Sequence, residues 1–210
     1  QSYTDWELII NDDFSTDLTI QILDNLINKY PDKKIYILRN KINKGISRLH
    51  ENYNRMLSRA KGNLIAILEG DDYWPENKLT SQIKHLPTKE WVISFGNAII
   101  VDEESKLLYK KNYNFDQKLL ENKPLGNFVE LFKTFNFNLI SSTVIINRKY
   151  LDKINGFQSD KFFTIWDMPT YLKLSLQSSF NYQNQLLGYY RKHQNSSWNK
   201  YHNNNKMSSW

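Results

Sequence analysis

Three short apolar runs, each followed by a polar break and then by helical periodicity, constrain this chain more than any other feature. "WELIIN" (Trp6–Asn11), "KIYILR" (Lys34–Arg39) and "NLIAIL" (Asn63–Leu68) are rich in apolar residues from end to end, the pattern of strands buried on both faces. Between the first two, "STDLTIQILDNLINKY" sets Ile20, Leu23, Ile27 and Tyr30 at helical spacing, with Ser15 or Asp17 as N-cap and Pro31 as the stop. Between the second and third, "NKGISRLHENYNRMLSRAKG" predicts a glycine turn and a helix closing at Gly62 as its C′ residue. Strand, helix, strand, helix, strand predicts an α/β fold with a parallel sheet under covering helices.

This order gives meaning to "ILEGDDYWPENKL" (Ile67–Leu79), which packs Glu69, Asp71 and Asp72 into four residues. Like charges this close repel, so either a cation neutralises them or the loop is well solvated. They fall just past the carboxyl end of the third strand, as Asp12 and Asp13 fall at the end of the first. In open α/β sheets that edge binds ligands. Two acidic groups from two strands on one edge favour a site over a solvated turn.

The second half has a mixed pattern. A helix is predicted over about 75–86, strands at "WVISFGNAIIV" and "KLLYKK", a helix at 127–135 and a strand over Asn138–Arg148. A helix follows Asp167, and "LLGYYRKH" (Leu186–His193) reads as a strand. The polar end "HNNNKMSSW" is expected to fray. One domain of 210 residues is the economical reading.

Composition then excludes several classes. No run approaches the ~18 consecutive apolar residues of a membrane span. With no cysteine there is no disulfide framework or thiolate metal site. His50, His85, His193 and His202 lack zinc-ligand spacing. Net charge +6 points to anionic partners, yet the basic residues are spread along the chain, which argues against nucleic acid.

Each acidic or basic candidate has a bland reading beside the functional one. Asp71 and Asp72 offer hard oxygen ligands suited to Mg²⁺ or Mn²⁺, whose shell is completed by substrate phosphates; otherwise they form an acidic turn held by Gly70 and Pro75. Asp13 could accept from a base or sugar, and either Asp12 or Asp13 could cap the next helix. In "WDMPTYLKL", Asp167 is an N-cap, or a carboxylate held ionised by the helix N-terminus and usable as a general base. In "YYRKHQNSS", Arg191 and His193 share a face of an extended segment, suiting a diphosphate or a third metal ligand, or else a surface strand.

In this order, "SYTDWELIINDDFSTD", "NKGISRLHENYNRMLSRAKGNLIAILEGDDYWPENKLTSQ", "WDMPTYLKLS" and "YYRKHQNSS" resemble the family 2 inverting glycosyltransferases of the GT-A fold. The likeness is strongest to bacterial members with a Gly-Asp-Asp-Tyr-Trp loop, and it runs from residue 1 to about Ser197. It implies a Rossmann-like nucleotide-diphospho-sugar transferase fold with a mostly parallel central sheet flanked by helices. Residues 1–86 would form a nucleotide-binding half, 87–197 an acceptor and catalytic half, and 198–210 a polar tail.

The resemblance assigns roles position by position. Asp13, supported by Asp12, would contact the uracil of a UDP-sugar, with Arg48 near the nucleotide. Asp72 would be the direct ligand of Mn²⁺ or Mg²⁺, and Asp71 would contact ribose or metal. Asp167 would be the general base, Arg191 would close over the diphosphate, and His193 would reach the metal. The expected reaction moves a sugar to a hydroxyl of a glycan or lipid-linked acceptor in bacterial surface polysaccharide synthesis. The expected location is cytoplasmic, with peripheral association at the inner face of the cell membrane.

Three departures accompany the likeness. Glu69 stands where many members carry Asp, and Phe14 where a small residue is frequent. The family also places a strand and a helix ahead of the segment that starts at Gln1, so a truncated chain is expected. The alternative expectation is therefore a nucleotide- or glycan-binding relative without turnover.

Overall fold

The computed structural model describes residues 1–113, 139–160 and 166–194. The helix expected at 127–135 and the polar tail lie outside the described residues. β1 (Glu7–Asp12), α1 (Thr19–Lys29), β2 (Lys34–Arg39), α2 (Leu49–Arg59) and β3 (Leu64–Ala66) follow in the predicted order. Then come α3 (Lys78–Lys84), β4 (Trp91–Val101), β5 (Leu107–Lys111), β6 (Ile145–Asn147), α4 (Arg148–Lys153), α5 (Asp167–Ser175) and β7 (Ser179–Arg191).

Hydrogen bonding divides the strands into two sheets. β1 and β2 pair in parallel, from Glu7 opposite Lys34 to Asp12 opposite Arg39. β3 does not extend that ladder: it pairs antiparallel with β6, which pairs antiparallel with β4. The expected nucleotide-binding and acceptor halves thus share a sheet across residue 86. β7 runs parallel to β4 along one edge, while β6 and then β5 occupy the other, near Ile93–Ser94 and Ala98–Val101.

Two antiparallel steps make β3 and β4 point the same way, and β7 is parallel to β4. The carboxyl ends of all three strands therefore fall on one edge of the five-stranded sheet. That edge carries the loop after β3 and the residues that end β7. The fold is α/β, with β1–β2 and β4–β7 as its parallel pairs and the other three pairings antiparallel.

The core sits around β4, where ten of eleven residues are buried. Val92, Ile93 and Phe95 pack with Ile146, Leu151, Tyr171, Trp166 and Phe157 from the following elements, and with Tyr53 and Leu57 of α2. An apolar strand buried on both faces cannot tolerate side chains at a close crossing. At Gly96 an added Cβ would stand 2.6 Å from Leu187 and 2.7 Å from the Gln183 carbonyl.

Several local expectations are corrected. α1 starts at Thr19, with Asp17 Oδ1 accepting the Thr19 N–H at 2.9 Å, and none of its residues is buried. α2 ends at Arg59 with an extended Ala60, so Gly62 is not its C′ residue. The Lys61 and Gly62 N–H groups donate instead to Glu7 Oε1, at 2.6 and 3.1 Å. The strand read over Asn138–Arg148 shrinks to β6, preceded by a 3₁₀ turn at Ser141–Thr143 and followed directly by α4.

A left-handed turn after α4 ties these layers together. Gly156 has φ +83° and donates to the Leu151 carbonyl at 2.8 Å. Asn54 of α2 then grips Phe157, accepting its N–H at 2.7 Å and donating to its carbonyl at 2.8 Å. A Cβ at Gly156 would lie 2.2 Å from Asn54 Oδ1. Gly156→Ala is expected to cost at least about 2 kcal/mol in urea unfolding, from the positive φ and the broken clamp together. A loss under about half of that would mean that the turn relaxes freely.

Candidate functional site

The first acidic group splits into two jobs. Asp12 is 4% exposed; its carboxylate accepts the Ser15 N–H at 3.2 Å and lies 3.9 Å from Arg39 Nε. It shapes the turn after β1. Asp13 is half-buried and reaches the loop after β2. Its oxygens accept the N–H groups of Lys44 and Gly45, at 3.1 and 2.9 Å, and Asn40 Nδ2 at 2.5 Å. Burial pushes its pKa up, but the donors of Lys44, Asn40, Asn52 and Gly45 outweigh it and hold Asp13 below the usual range. A fixed anion thus stands at the carboxyl end of β1. Phe14 follows at φ +68° and is half exposed.

Arg48 is exposed and bound to Glu51 at 2.7 and 2.9 Å. It also feels the charge of Asp13, which places it beside this group without a direct bond.

The second group forms where β3 and β7 end together. Ser142, fully buried in the 3₁₀ turn before β6, is its hub. The Ser142 hydroxyl donates to Asp72 Oδ2 at 2.5 Å and accepts the Glu69 N–H at 3.2 Å. Its carbonyl accepts Trp74 Nε1–H at 2.6 Å. The Arg191 N–H donates to Asp72 Oδ1 at 2.9 Å. Tyr73 and Tyr189 exchange two backbone hydrogen bonds and stack with ring centroids 4.4 Å apart.

Arg191 and His193 both join this group. The guanidinium is engaged with backbone: Nε donates to the Asp71 carbonyl at 3.0 Å, and Nη1 to the carbonyls of Asp102 and Glu103 and to Ser105 Oγ. It fastens the β4–β5 hairpin to the acidic loop. His193 Nε2 lies 3.0 Å from Asp71 Oδ2.

Glu69 turns inward, where Tyr53 OH donates to its Oε1 at 2.7 Å. Its carboxyl is pushed up to about 7, by burial first and then by the charges of Asp72, Asp167 and Asp71, against the Tyr53 hydrogen bond. Asp72 is raised to about 6 by burial and by Asp71, against the Ser142 and Arg191 donors. Asp167 opens α5, and its Oδ1 accepts the Met168 N–H at 2.7 Å. Burial outweighs that bond and raises its pKa, where the helix N-terminus alone predicts a lowered one. Tyr190 also borders the group, raised to about 12 by burial and by Asp72, Asp71 and Glu69. Glu69 therefore feels the charges of Asp71 and Asp72 from its own loop and of Asp167 from the start of α5.

Helix α2 connects the two groups through consecutive buried residues. Asn52 Oδ1 accepts from the Asn40 amide that also serves Asp13, at 2.8 Å, while Tyr53 serves Glu69. No described hydrogen bond or ion pair joins Asp13 to Asp71 or Asp72. Sequence reasoning missed Asn40, Asn52, Tyr53 and Ser142 as site-builders. The two asparagines are visible only as polar residues that burial would penalise, and Ser142, 70 residues from Asp72, carries no sequence signal.

Among the described residues, no three His, Asp or Glu side chains are arranged to enclose a metal ion. Mg²⁺ or Mn²⁺ needs only one or two carboxylates when phosphates complete the shell. Asp72 and Asp71 fit that demand. They are adjacent hard-oxygen groups beside carboxyls raised first by burial and then by neighbouring negative charge.

Glu69 gives this electrostatic picture a sign. Its folded pKa near 7 exceeds its ordinary 4.5. Between those values the folded state holds a proton that the unfolded state has lost, so this group's contribution to stability falls as pH rises from about 4.5 to 7. Glu69→Gln keeps an acceptor for Tyr53 without the charge. In urea unfolding it should be more stable than the parent by on the order of 2 kcal/mol at pH 8, and no different at pH 4.5. Equal stability at pH 8 would mean that the Glu69 charge is already compensated.

Comparison with known proteins identifies the family and the fold. Residues 1–154 match the family model described as Glycosyl transferase family 2. The chain is 32% identical over 161 residues to the Escherichia coli UDP-Glc:alpha-D-GlcNAc-diphosphoundecaprenol beta-1,3-glucosyltransferase WfaP, covering 77% of this chain and 57% of that protein. It is 29% identical over 197 residues to the putative teichuronic acid biosynthesis glycosyltransferase TuaG of Bacillus subtilis, covering 93% of this chain and 71% of that one. Residues 1–349 of S. aureus TarS in complex with UDP-GlcNAc superpose with a TM-score of 0.63 at 18% identity, over 97% of this chain and 52% of that one. The chain thus spans little more than half of WfaP and of that TarS structure, and the TarS likeness concerns the fold. With a family match over residues 1–154 and the acidic groups at the strand ends, the chain belongs to glycosyl transferase family 2.

Proposed function

We propose that this chain carries the donor-binding and catalytic residues of a transferase that moves a sugar from UDP to an acceptor hydroxyl, with inversion, in bacterial surface polysaccharide synthesis. The observation that carries this reading is the meeting of Glu69, Asp71, Asp72 and Asp167 where β3 and β7 end.

The roles follow from the chemistry of each group. Asp13, kept ionised by its donors, would receive the base or ribose of the nucleotide, with Arg48 beside it. Asp72 and Asp71 would hold Mn²⁺ or Mg²⁺, which when bound offsets the charge that builds on the diphosphate leaving group. Arg191 anchors the loop and adds positive charge, and His193 orients Asp71. Asp167 would take the proton of the attacking hydroxyl; a carboxylate raised by burial is a stronger base than a solvated one. Attack from the face opposite UDP inverts the anomeric carbon in one displacement.

The WfaP name specifies a diphosphoundecaprenol-linked acceptor. A lipid-linked glycan is accordingly the acceptor class proposed here, met at the inner face of the cell membrane. The net charge of +6 suits an anionic surface. Among the described residues no helix is long and apolar enough to cross a membrane.

Calorimetric titration of UDP, with and without Mn²⁺, tests the donor site. Binding should require Mn²⁺ and weaken at least about tenfold in Asp72→Asn, the scale of a lost charged ligand. A folded chain that binds no UDP would sink the reading. Asp167→Asn should leave UDP binding within about twofold and cut transfer or UDP-sugar hydrolysis by a factor of about 10² or more. Metal-dependent binding with no turnover in the parent chain would identify a binding relative instead of an enzyme.

A further inference from the structure

The most anomalous group in the molecule is Lys78, the first residue of α3. It is 0% exposed, its Nζ has no hydrogen-bond partner among the described residues, and burial alone pulls its pKa down to about 7. An unpaired buried ammonium is strongly unfavourable. Fully buried and without a described hydrogen bond, position 78 would suit an apolar side chain better. The one described interaction of its charge is with the indole face of Trp74, 4.1 Å from the ring centroid.

That contact leads into the acidic group. A cation on the face of an indole withdraws electron density and strengthens the Nε1–H as a donor. Trp74 Nε1–H donates to the Ser142 carbonyl at 2.6 Å, and the Ser142 hydroxyl donates to Asp72 Oδ2 and accepts the Glu69 N–H. The neighbouring backbone is held independently, by the two Tyr73–Tyr189 hydrogen bonds. Loss of the Lys78 charge would therefore loosen Trp74 and Ser142 while the loop keeps its path.

We propose that Lys78 is a positioning residue: by clamping Trp74 it fixes Ser142, and through Ser142 it sets the direction in which Asp72 meets the metal and the donor diphosphate. This rests on the reading of Asp72 as the metal-holding carboxylate. The charge is retained at a cost in stability because the site needs it, so its removal should move stability and binding in opposite directions.

Lys78→Met separates this from a structural role. Its melting temperature should rise by about 3 °C or more, while the Trp74 indole N–H, followed by NMR, exchanges with solvent at least tenfold faster and UDP binding in Mn²⁺ weakens about tenfold. A purely structural lysine predicts the reverse, with exchange slowed by the gain in stability. Trp74→Phe, which keeps the lysine and removes the N–H, should weaken UDP binding to a similar degree, and the double variant should be no weaker than either single one. Unchanged or slower indole exchange in Lys78→Met, unchanged UDP affinity, or losses that multiply in the double variant would each overturn the proposal. If the parent chain binds no UDP the donor reading fails by itself, and the exchange measurement still decides whether Lys78 holds Trp74.

Discussion

Burial of carboxyl groups side by side at one edge of a sheet is the constraint on which this structure turns. Glu69, Asp72 and Asp167 are each raised in pKa, and the charges of Asp71, Asp72 and Asp167 all contribute at Glu69. The fold relieves the strain only in part, through Tyr53, Ser142 and the backbone N–H of Arg191. A protein that only needed to fold would place apolar or neutral groups here. Negative charge kept together at this edge favours a cation, and this is the ground on which Asp71 and Asp72 are proposed as its ligands.

Holding like charges together requires a rigid frame, and β4 supplies it. Nearly every residue of this strand is buried, with β7 along one edge and β6 and β5 sharing the other. The directions of β3, β4 and β7 follow from those pairings and bring residues 72 and 191 within one hydrogen bond. Helix α2 does comparable work between the two acidic groups, with Asn52 facing the Asp13 cluster and Tyr53 facing Glu69. Tyr53 is in turn packed on Phe157 and Trp166, next to Asp167. The groups are positioned by core packing and hydrogen bonds together.

Legibility in the sequence follows the range of the interaction responsible. β4, β5 and the start of α5 were readable because apolar runs and a proline near a first turn act within a few residues. Asp12, Asp13, Asp71 and Asp72 were readable as strand-end acids for the same reason. Gly62 misled because its context suits a helix cap, whereas a long-range bond from Glu7 takes over the chain there. The helix N-terminus of α5 suggested a lowered pKa for Asp167, and burial by the rest of the fold reversed it. Ser142 and Lys78 gave no local signal, since the importance of each lies in partners elsewhere in the fold.

By itself, then, the sequence determined the order of strands and helices, the placement of acidic residues at strand ends, and the family to which the pattern belongs. These depend on apolar periodicity and turn chemistry, which operate over a handful of residues. Tertiary structure alone decided that β3 joins β6 and not β1, that Asp72 meets Ser142 and Arg191, and that Lys78 lies buried against Trp74. Those outcomes depend on which distant surfaces become neighbours and lose their water, and desolvation exists only once the chain has closed around the group.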